Sequence, residues 1–114
     1  MFNSNVIVEW TGSRTMTLVN DVSFIDSEFV EWRAEAGTVI DGASIPRVLW
    51  TAVGSPFVGK YRRASVIHDA YYKTQDVPRA DVDRMFYEAM LADGVGSIRA
   101  RVMYRAVRMF GARW

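Results

Sequence analysis

The spacing of the apolar residues changes near residue 60, and this change constrains the fold more than any other feature of the sequence. Before residue 60, short β-rich stretches alternate apolar and polar residues and are separated by turn residues about every ten positions. After residue 60, the apolar residues recur with the period of an α-helix. Strands followed by helices predict an α+β fold.

The first half, residues 1–40, is predicted to be an antiparallel β meander. Its five strand-like stretches end at turn signals and lie at 6–10, 15–19, 22–26, 29–34 and 38–40. Residues 41–59 are predicted to be a loop with a candidate short helix over 48–53, after Pro46. The strands are therefore expected to precede an ordered loop and a helical half.

Three helices are predicted within residues 60–114. The first is expected near 60–73, and the second follows a cap at Asp76 and continues to about residue 92. The third is expected to begin at a Ser97 cap and to reach residue 110. The short connection between the first two predicts a helical hairpin, and the 114 residues fit a single domain.

The composition limits which cellular compartment and which kinds of site are expected for this chain. The chain has no cysteine, which excludes a disulfide framework and a thiolate metal site. Its N-terminus lacks the features of a signal peptide, and no apolar run approaches the roughly 20 residues that span a bilayer. The expected location is therefore the cytoplasm of the cell that makes it, with no transmembrane segment.

The net charge of +1 is unevenly distributed along the chain. Residues 1–59 carry three arginines and seven acidic residues, whereas residues 60–114 carry eleven basic and six acidic residues. Such asymmetry occurs in proteins that bind a polyanion or a membrane surface. The commoner explanation, and the one favoured here, is a solvated helix face with neutralising pairs.

His68 is the single histidine and lies in the first predicted helix. Imidazole exchanges protons near neutral pH without a large pKa shift. Asp69 projects about 100° away from His68 around the helix, so it cannot orient the ring. Asp83 is expected on the facing side of the second helix, and Tyr72, one turn after His68, reaches the same carboxylate. The pattern predicts a group in which His68 is a general base supported by Asp83 and Tyr72.

Asp69 is expected to face the loop with the sequence DGASIP at residues 41–46. There its carboxylate and backbone carbonyls of the loop are suited to a cation. Ser44 is a conceivable nucleophile, but it lacks a Gly-x-Ser-x-Gly elbow. The alternative is structural, because a histidine on a helix often links two helices by hydrogen bonds and the loop is then only a corner between strand and helix.

The third predicted helix is basic and amphipathic. Its arginines are Arg99, Arg101, Arg105 and Arg108, and Arg113 follows it. Such a helix can lie on anionic lipid or contact phosphates. More often its apolar face packs on the core and its arginines remain in water, and nucleic acid is not an expected partner.

Several spaced motifs occur in a fixed order between residues 37 and 112. They are DGASIP at 41–46, Gly54-Ser55-Pro56, Tyr61-Arg62-Arg63-Ala64, His68-Asp69-x-x-Tyr72 and Arg79-x-x-x-Asp83-Arg84-x-Phe86-Tyr87-Glu88-Ala89-Met90. In this order they resemble domain of unknown function 1353, a small family found in phages and prophages. The resemblance implies a phage-associated protein with phage structural proteins as partners, including a place in the virion, and gives no activity.

The paired helices carry a second resemblance. His68-Asp69-x-x-Tyr72 followed by Asp83-x-x-Phe86 is similar to the helical core of phospholipase A2. The resemblance implies that His68 activates water, Asp83 and Tyr72 support it, and Asp69 binds calcium with the backbone around Asp41 and Gly42. The chain departs from that family in its lack of cysteines, its strand region and its lack of a glycine-rich calcium loop.

Three functions follow as hypotheses. The first is a phospholipase A2-like, metal-assisted ester hydrolase with His68 as the base. The second is a non-enzymatic phage assembly, tail or accessory protein in which the His-Asp network is structural. The third is a host-interaction protein that uses the arginine-rich helix.

Overall fold

Five short strands and three helices surround one apolar core, in the order that the sequence predicts. A computed structural model describes residues 2, 5–10, 15–42, 44–46 and 59–111. The strands are β1 (Val8–Trp10), β2 (Met16–Leu18), β3 (Val22–Ile25), β4 (Glu31–Ala34) and β5 (Val39–Ile40). The predicted α+β arrangement is confirmed. The short helix expected over 48–53 lies outside the described residues.

All strand pairs are antiparallel, but sheet order differs from chain order. One sheet has the order β1-β2-β5, and β3 and β4 form a separate two-stranded sheet. After β4, a turn with Gly37 at φ +91° returns the chain to β2, where the N–H of Leu18 donates to the carbonyl of Thr38 over 2.9 Å. The β3–β4 hairpin therefore lies between β2 and β5 along the chain, although β2 and β5 are neighbours in the other sheet. This order refines the simple meander.

The β3–β4 turn is organised by the buried carboxylate of Asp26. This carboxylate accepts the backbone N–H groups of Glu28 at 2.9 Å and Val30 at 3.0 Å, and the indole N–H of Trp32 at 2.9 Å. Burial alone raises the pKa of Asp26, but these hydrogen bonds outweigh it and lower the pKa overall. At the tip, Phe29 has φ +63° and is 90% exposed. The turn thus holds an aromatic ring in water on a rigid backbone.

The helical half begins with a 3₁₀ turn, Gly59–Tyr61, and contains α1 (Arg62–Thr74), α2 (Arg79–Ala92) and α3 (Ser97–Phe110). The three predicted helices are confirmed, with shifted starts. Pro78 precedes α2, whereas the Asp76 carboxylate accepts the hydroxyl of Thr74 and caps no helix. Ser97 is the first residue of α3 and not its cap.

Helix α1 lies at the centre of the fold. It packs on α2 and on the strands β3, β4 and β5, and every residue from 64 to 70 is buried. Helices α1 and α2 are antiparallel, since Arg63 near the start of α1 pairs with Asp93 just after α2. This hairpin places His68 and Asp69 inside the core, where polar side chains need hydrogen-bond partners.

Among the described residues, none of the helices has the length and apolar character that a membrane crossing requires.

Candidate functional site

The ring of His68 is fully buried and has a polar partner on each nitrogen. Its Nε2 lies 2.8 Å from Oδ1 of Asp83, and its Nδ1 lies 3.0 Å from Oγ of Ser44. The ring faces are covered by Tyr72 and Phe86, with centroid separations of 4.2 and 4.4 Å. The structure therefore brings His68, Asp83 and Tyr72 together as the helix register predicts. It also places Ser44 at the other ring nitrogen, a contact that the sequence did not predict.

The partners of His68 determine which nitrogen carries the proton. A carboxylate accepts hydrogen bonds only, so the Nε2 of His68 donates to Asp83. In the neutral ring Nδ1 is then an acceptor, and the hydroxyl of Ser44 donates to it. Burial lowers the pKa of His68 by more than the neighbouring Asp83 raises it. At neutral pH, the ring is therefore a base with a hydroxyl proton directed at it.

Asp83 is surrounded by donors from three elements. Besides His68, the hydroxyl of Tyr72 donates to its Oδ1 over 2.5 Å, and Arg108 of α3 donates to its Oδ2 over 3.1 Å. Arg79 adds an ion pair, with its Nε 3.7 Å from Oδ2. Burial raises the pKa of Asp83, but the hydrogen bonds from His68, Tyr72 and Arg108 outweigh it and lower the pKa overall. The carboxylate is therefore ionised at neutral pH.

Two arginines near Asp83 were not among the predicted site residues. Arg79 also donates to the carbonyl oxygens of Val107, over 2.7 Å, and Arg108 in the last turn of α3, where the Val107 carbonyl also accepts the N–H of Gly111. It thereby ties the end of α3 to the Asp83 carboxylate. The four-residue spacing from Arg79 to Asp83 is a helical pairing signal in the sequence, whereas no local signal points to Arg108.

Asp69 faces the 41–46 loop, as expected, but it holds the loop through backbone donors. Its Oδ2 accepts the N–H of Asp41 and its Oδ1 accepts the N–H of Ser44, each over 3.2 Å. Gly42 is buried with φ +75°, a conformation that suits glycine, and its carbonyl accepts the N–H of Ile45. Burial raises the pKa of Asp69, and the two N–H groups oppose the rise only in part. Asp69 therefore fixes the loop that carries Ser44.

This donor arrangement does not fit a calcium ion. Calcium takes six to eight oxygen ligands, whereas the groups directed at Asp69 are N–H donors. The carboxylate of Asp41 is directed at Lys73, whose Nζ lies 3.0 Å from its Oδ2. In the part of the chain that the structure describes, no group of three or more His, Cys, Asp or Glu residues is placed to hold a metal. Asp69, Asp41 and Gly42 thus form a hydrogen-bonded loop anchor.

Ser65 also lies on the buried side of α1, one turn before His68 and Asp69. Its hydroxyl is the only buried side-chain polar atom among the described residues without a hydrogen-bond partner. It therefore contrasts with Ser44, whose hydroxyl is bound to His68.

The fold and site define a small α+β domain in which a loop and two helices meet at a buried Ser-His-Asp group. The chain belongs to the family described as "Protein of unknown function (DUF1353)", whose model matches residues 16–107. The family predicted from the ordered motifs is thereby confirmed.

Two relatives are uncharacterized proteins of Sinorhizobium fredii (strain NBRC 101917 / NGR234). The chain is 43% identical to y4jT over 97 residues, and this matched stretch covers 85% of the chain and 29% of y4jT. It is 40% identical to y4iH over 94 residues, and that stretch covers 82% of the chain and 39% of y4iH. The chain thus spans well under half the length of these relatives, whose names carry no activity. No solved structure matches it significantly.

Proposed function

We propose that this domain is a hydrolase of esters or similar acyl compounds in which Ser44 is the nucleophile and His68 its base. The observation that carries the proposal is the chain of contacts from Ser44 Oγ, 3.0 Å from His68 Nδ1, through the ring to Asp83, 2.8 Å from Nε2. A serine, a neutral imidazole and an ionised carboxylate in this order are recognised as a catalytic triad by geometry and roles.

The chemistry follows from the protonation states of these groups. His68 Nδ1 takes the proton of Ser44 while Oγ attacks the acyl carbon, and the Asp83 carboxylate stabilises the imidazolium. The proton then passes from Nδ1 to the leaving group, which departs and leaves an acyl-serine. Water, deprotonated by the same nitrogen, attacks the acyl group and releases the acid as the proton returns to Ser44. Tyr72 and Arg108 hold Asp83 in place throughout.

A phospholipase A2-like route uses the same histidine differently. In that route a water would take the place beside Nδ1, and Asp69 would have to hold a calcium ion that supplies Lewis-acid chemistry. The Ser44 hydroxyl beside Nδ1 and the N–H donors around Asp69 support the serine route instead.

The proposal is tested with a fluorophosphonate probe and a series of p-nitrophenyl esters of increasing acyl length. We expect the probe to label Ser44, and Ser44→Ala to lose labelling and at least about a thousandfold of the ester turnover. Ser65→Ala is the matched control, because it removes a buried hydroxyl that makes no hydrogen bond to His68. Ester turnover that survives Ser44→Ala and requires calcium would support the phospholipase A2-like route.

A non-enzymatic role is the second candidate, favoured by the complete burial of His68 and the several donors that satisfy Asp83. In this role the network locks the 41–46 loop to the helices of an assembly or accessory protein. The expected result is then no labelling and no turnover, with a loss of stability in Ser44→Ala. Phage structural partners and a place in the virion remain predictions that belong to this candidate, whereas an anionic lipid surface belongs to the phospholipase A2-like route.

A further inference from the structure

The outer side of α3 is apolar and basic. Ile98, Val102 and Met109 are 78%, 55% and 66% exposed and lie along one line of the helix, with Arg101 and Arg105 beside them. We name these five residues the basic face. The helix contacts the core with its other side, through Ala100, Met103 and Val107. Exposed apolar side chains in such a row mark an interaction surface.

Most of the charge on this helix is uncompensated, since, among the described residues, Arg108 alone of its arginines pairs with an acid, Asp83. Residues 97–110 contain four arginines and no acidic residue. Within the described ranges, no ion pair involves Arg99, Arg101 or Arg105. Two copies joined through their basic faces would place arginine against arginine, so the occupant of this face must be acidic.

A surface of the opposite sign lies at the β3–β4 turn, residues 26–31, which we name the acidic turn. Phe29 projects from it with 90% of its surface exposed, and Val30 is 47% exposed. Glu28 and Glu31 flank these residues and are 63% and 49% exposed. Each also pairs with an arginine of its own molecule, Glu28 with Arg84 at 3.0 Å and Glu31 with Arg33 at 3.1 Å, and in a contact between molecules these exposed pairs would be exchanged for intermolecular ones. Asp26 fixes the backbone on both sides of Phe29, so the ring is presented without a further ordering step.

The two surfaces are complementary but separated within one molecule. The acidic turn, residues 26–31, contains three acidic residues and no basic residue, whereas residues 97–110 contain four arginines and no acidic residue. Helix α2 lies between them: its Arg84 and Glu88 bond to the acidic turn, whereas its Arg79 and Tyr87 contact α3. The acidic turn can therefore reach a basic face only on another molecule.

We propose that copies of this chain associate head to tail, with the acidic turn of one copy bound to the basic face of the next. Phe29 would enter the row formed by Ile98, Val102 and Met109, while Glu28 and Glu31 meet Arg101 and Arg105. Such a contact joins two different surfaces and generates rings or filaments. An anionic bilayer would occupy the basic face but leave the exposed Phe29 without a role. The inference is independent of the proposed hydrolase, because the two surfaces share no residue with Ser44, His68 or Asp83.

The test uses two double variants, each with one surface broken. Phe29→Asn/Glu28→Gln breaks the acidic turn, and asparagine tolerates the left-handed backbone at residue 29. Arg101→Glu/Arg105→Glu breaks the basic face. By sedimentation velocity, the unmodified chain should grow in mass with concentration and shrink with added salt. Each variant alone should require at least about tenfold higher concentration to associate. A mixture of the two should form a complex of one copy of each and nothing larger, because each retains one intact surface.

Controls separate this contact from general effects of charge and folding. Val19→Ala and Arg62→Glu alter other partly exposed positions and should associate like the unmodified chain, and circular dichroism checks that every variant is folded. Monomers at all concentrations, association of either variant at the unmodified level, or a mixture without a one-to-one complex would each overturn the proposal. Binding of phosphatidylglycerol vesicles by a chain that stays monomeric, lost in Arg101→Glu/Arg105→Glu, would assign the basic face to a membrane instead.

Discussion

Two carboxylates, those of Asp83 and Asp69, are both buried beside the same helix but are compensated in different ways. Asp83 receives His68, Tyr72 and two arginines, and its pKa is lowered despite burial. Asp69 receives two backbone N–H groups at 3.2 Å, and burial raises its pKa. The hydrogen bonds that His68 and Tyr72 donate to Asp83, over 2.8 and 2.5 Å, lower its pKa more than the bond from Arg108 does. The hydrogen bonds to Asp69 are fewer and longer, and they do not offset its burial. The comparison shows that the number and the length of the hydrogen bonds to a buried acid decide the direction of its pKa shift.

The largest effect is expected for Asp83→Asn. This change leaves Arg79 and Arg108 close together without their shared anion, and breaking a buried charge pair costs about 3–5 kcal/mol. Urea unfolding at pH 7 measures the loss. Asp81→Asn, on the same helix and half exposed, is the matched control and should change stability little. A loss of less than about 1 kcal/mol for Asp83→Asn would break the contrast between the two carboxylates.

A smaller effect is expected for Asp69→Asn. The amide oxygen keeps an acceptor for one loop N–H and loses the other, which costs about 1–3 kcal/mol. The same unfolding experiment applies, with Asp76→Asn as an exposed control. If Asp69→Asn destabilised the protein more than Asp83→Asn, the loop anchor would be the more strongly compensated of the two.

Tyr72→Phe should cost less again. It removes the hydroxyl that donates to Asp83 but leaves His68 and Arg108 in contact with that carboxylate, so the expected loss is about 1 kcal/mol. Tyr104→Phe provides a control on α3. A loss near that of Asp83→Asn would show that Tyr72, and not the arginines, compensates the acid.

A further effect is the pH dependence of stability that His68 contributes. Its folded pKa lies below the usual 6.5, so its contribution to stability is present above pH 6.5 and is lost as the pH falls through the folded pKa. Each proton contributes at most about 1.4 kcal/mol per pH unit. His68→Gln should flatten the stability curve between pH 6.5 and the folded pKa, as measured by urea unfolding across that range. If the slope of stability against pH is unchanged in His68→Gln, a group other than His68 titrates in this range.

The dependence of stability on pH in acid also tests the comparison between Asp83 and Asp69. Asp83, with a lowered pKa, loses its stabilising contribution as the pH falls below its usual 3.8. Asp69, with a raised pKa, acts in the opposite direction, because stability falls as the pH rises from 3.8 through its folded pKa. Asp69→Asn should therefore steepen the loss of stability in acid.

The sequence predicted much of the helical half because its signals are local. The register of the second helix correctly placed Asp83 against His68, and the angle between His68 and Asp69 correctly separated their partners. The four-residue spacing between Arg79 and Asp83 is a further local signal of the same kind.

The remaining features depend on contacts that no periodicity encodes. The pairing of β5 with β2 depends on where the chain returns after Gly37. The contact of Ser44 with His68 depends on the path of a loop, and the contact of Arg108 with Asp83 depends on the packing of α3. The sequence identified Asp69 as a polar residue facing the 41–46 loop. It did not show that the loop directs N–H groups, and not carbonyls, at the carboxylate.

The anchoring of the 41–46 loop by Asp69 has a consequence for how the gene can vary in length. Because hydrogen bonds from both Asp41 and Ser44 end on the one carboxylate of Asp69, the number of residues between these two positions is fixed. A residue inserted between them is expected to break one of the two bonds. A single residue added between His68 and Tyr72 would rotate them onto different sides of α1.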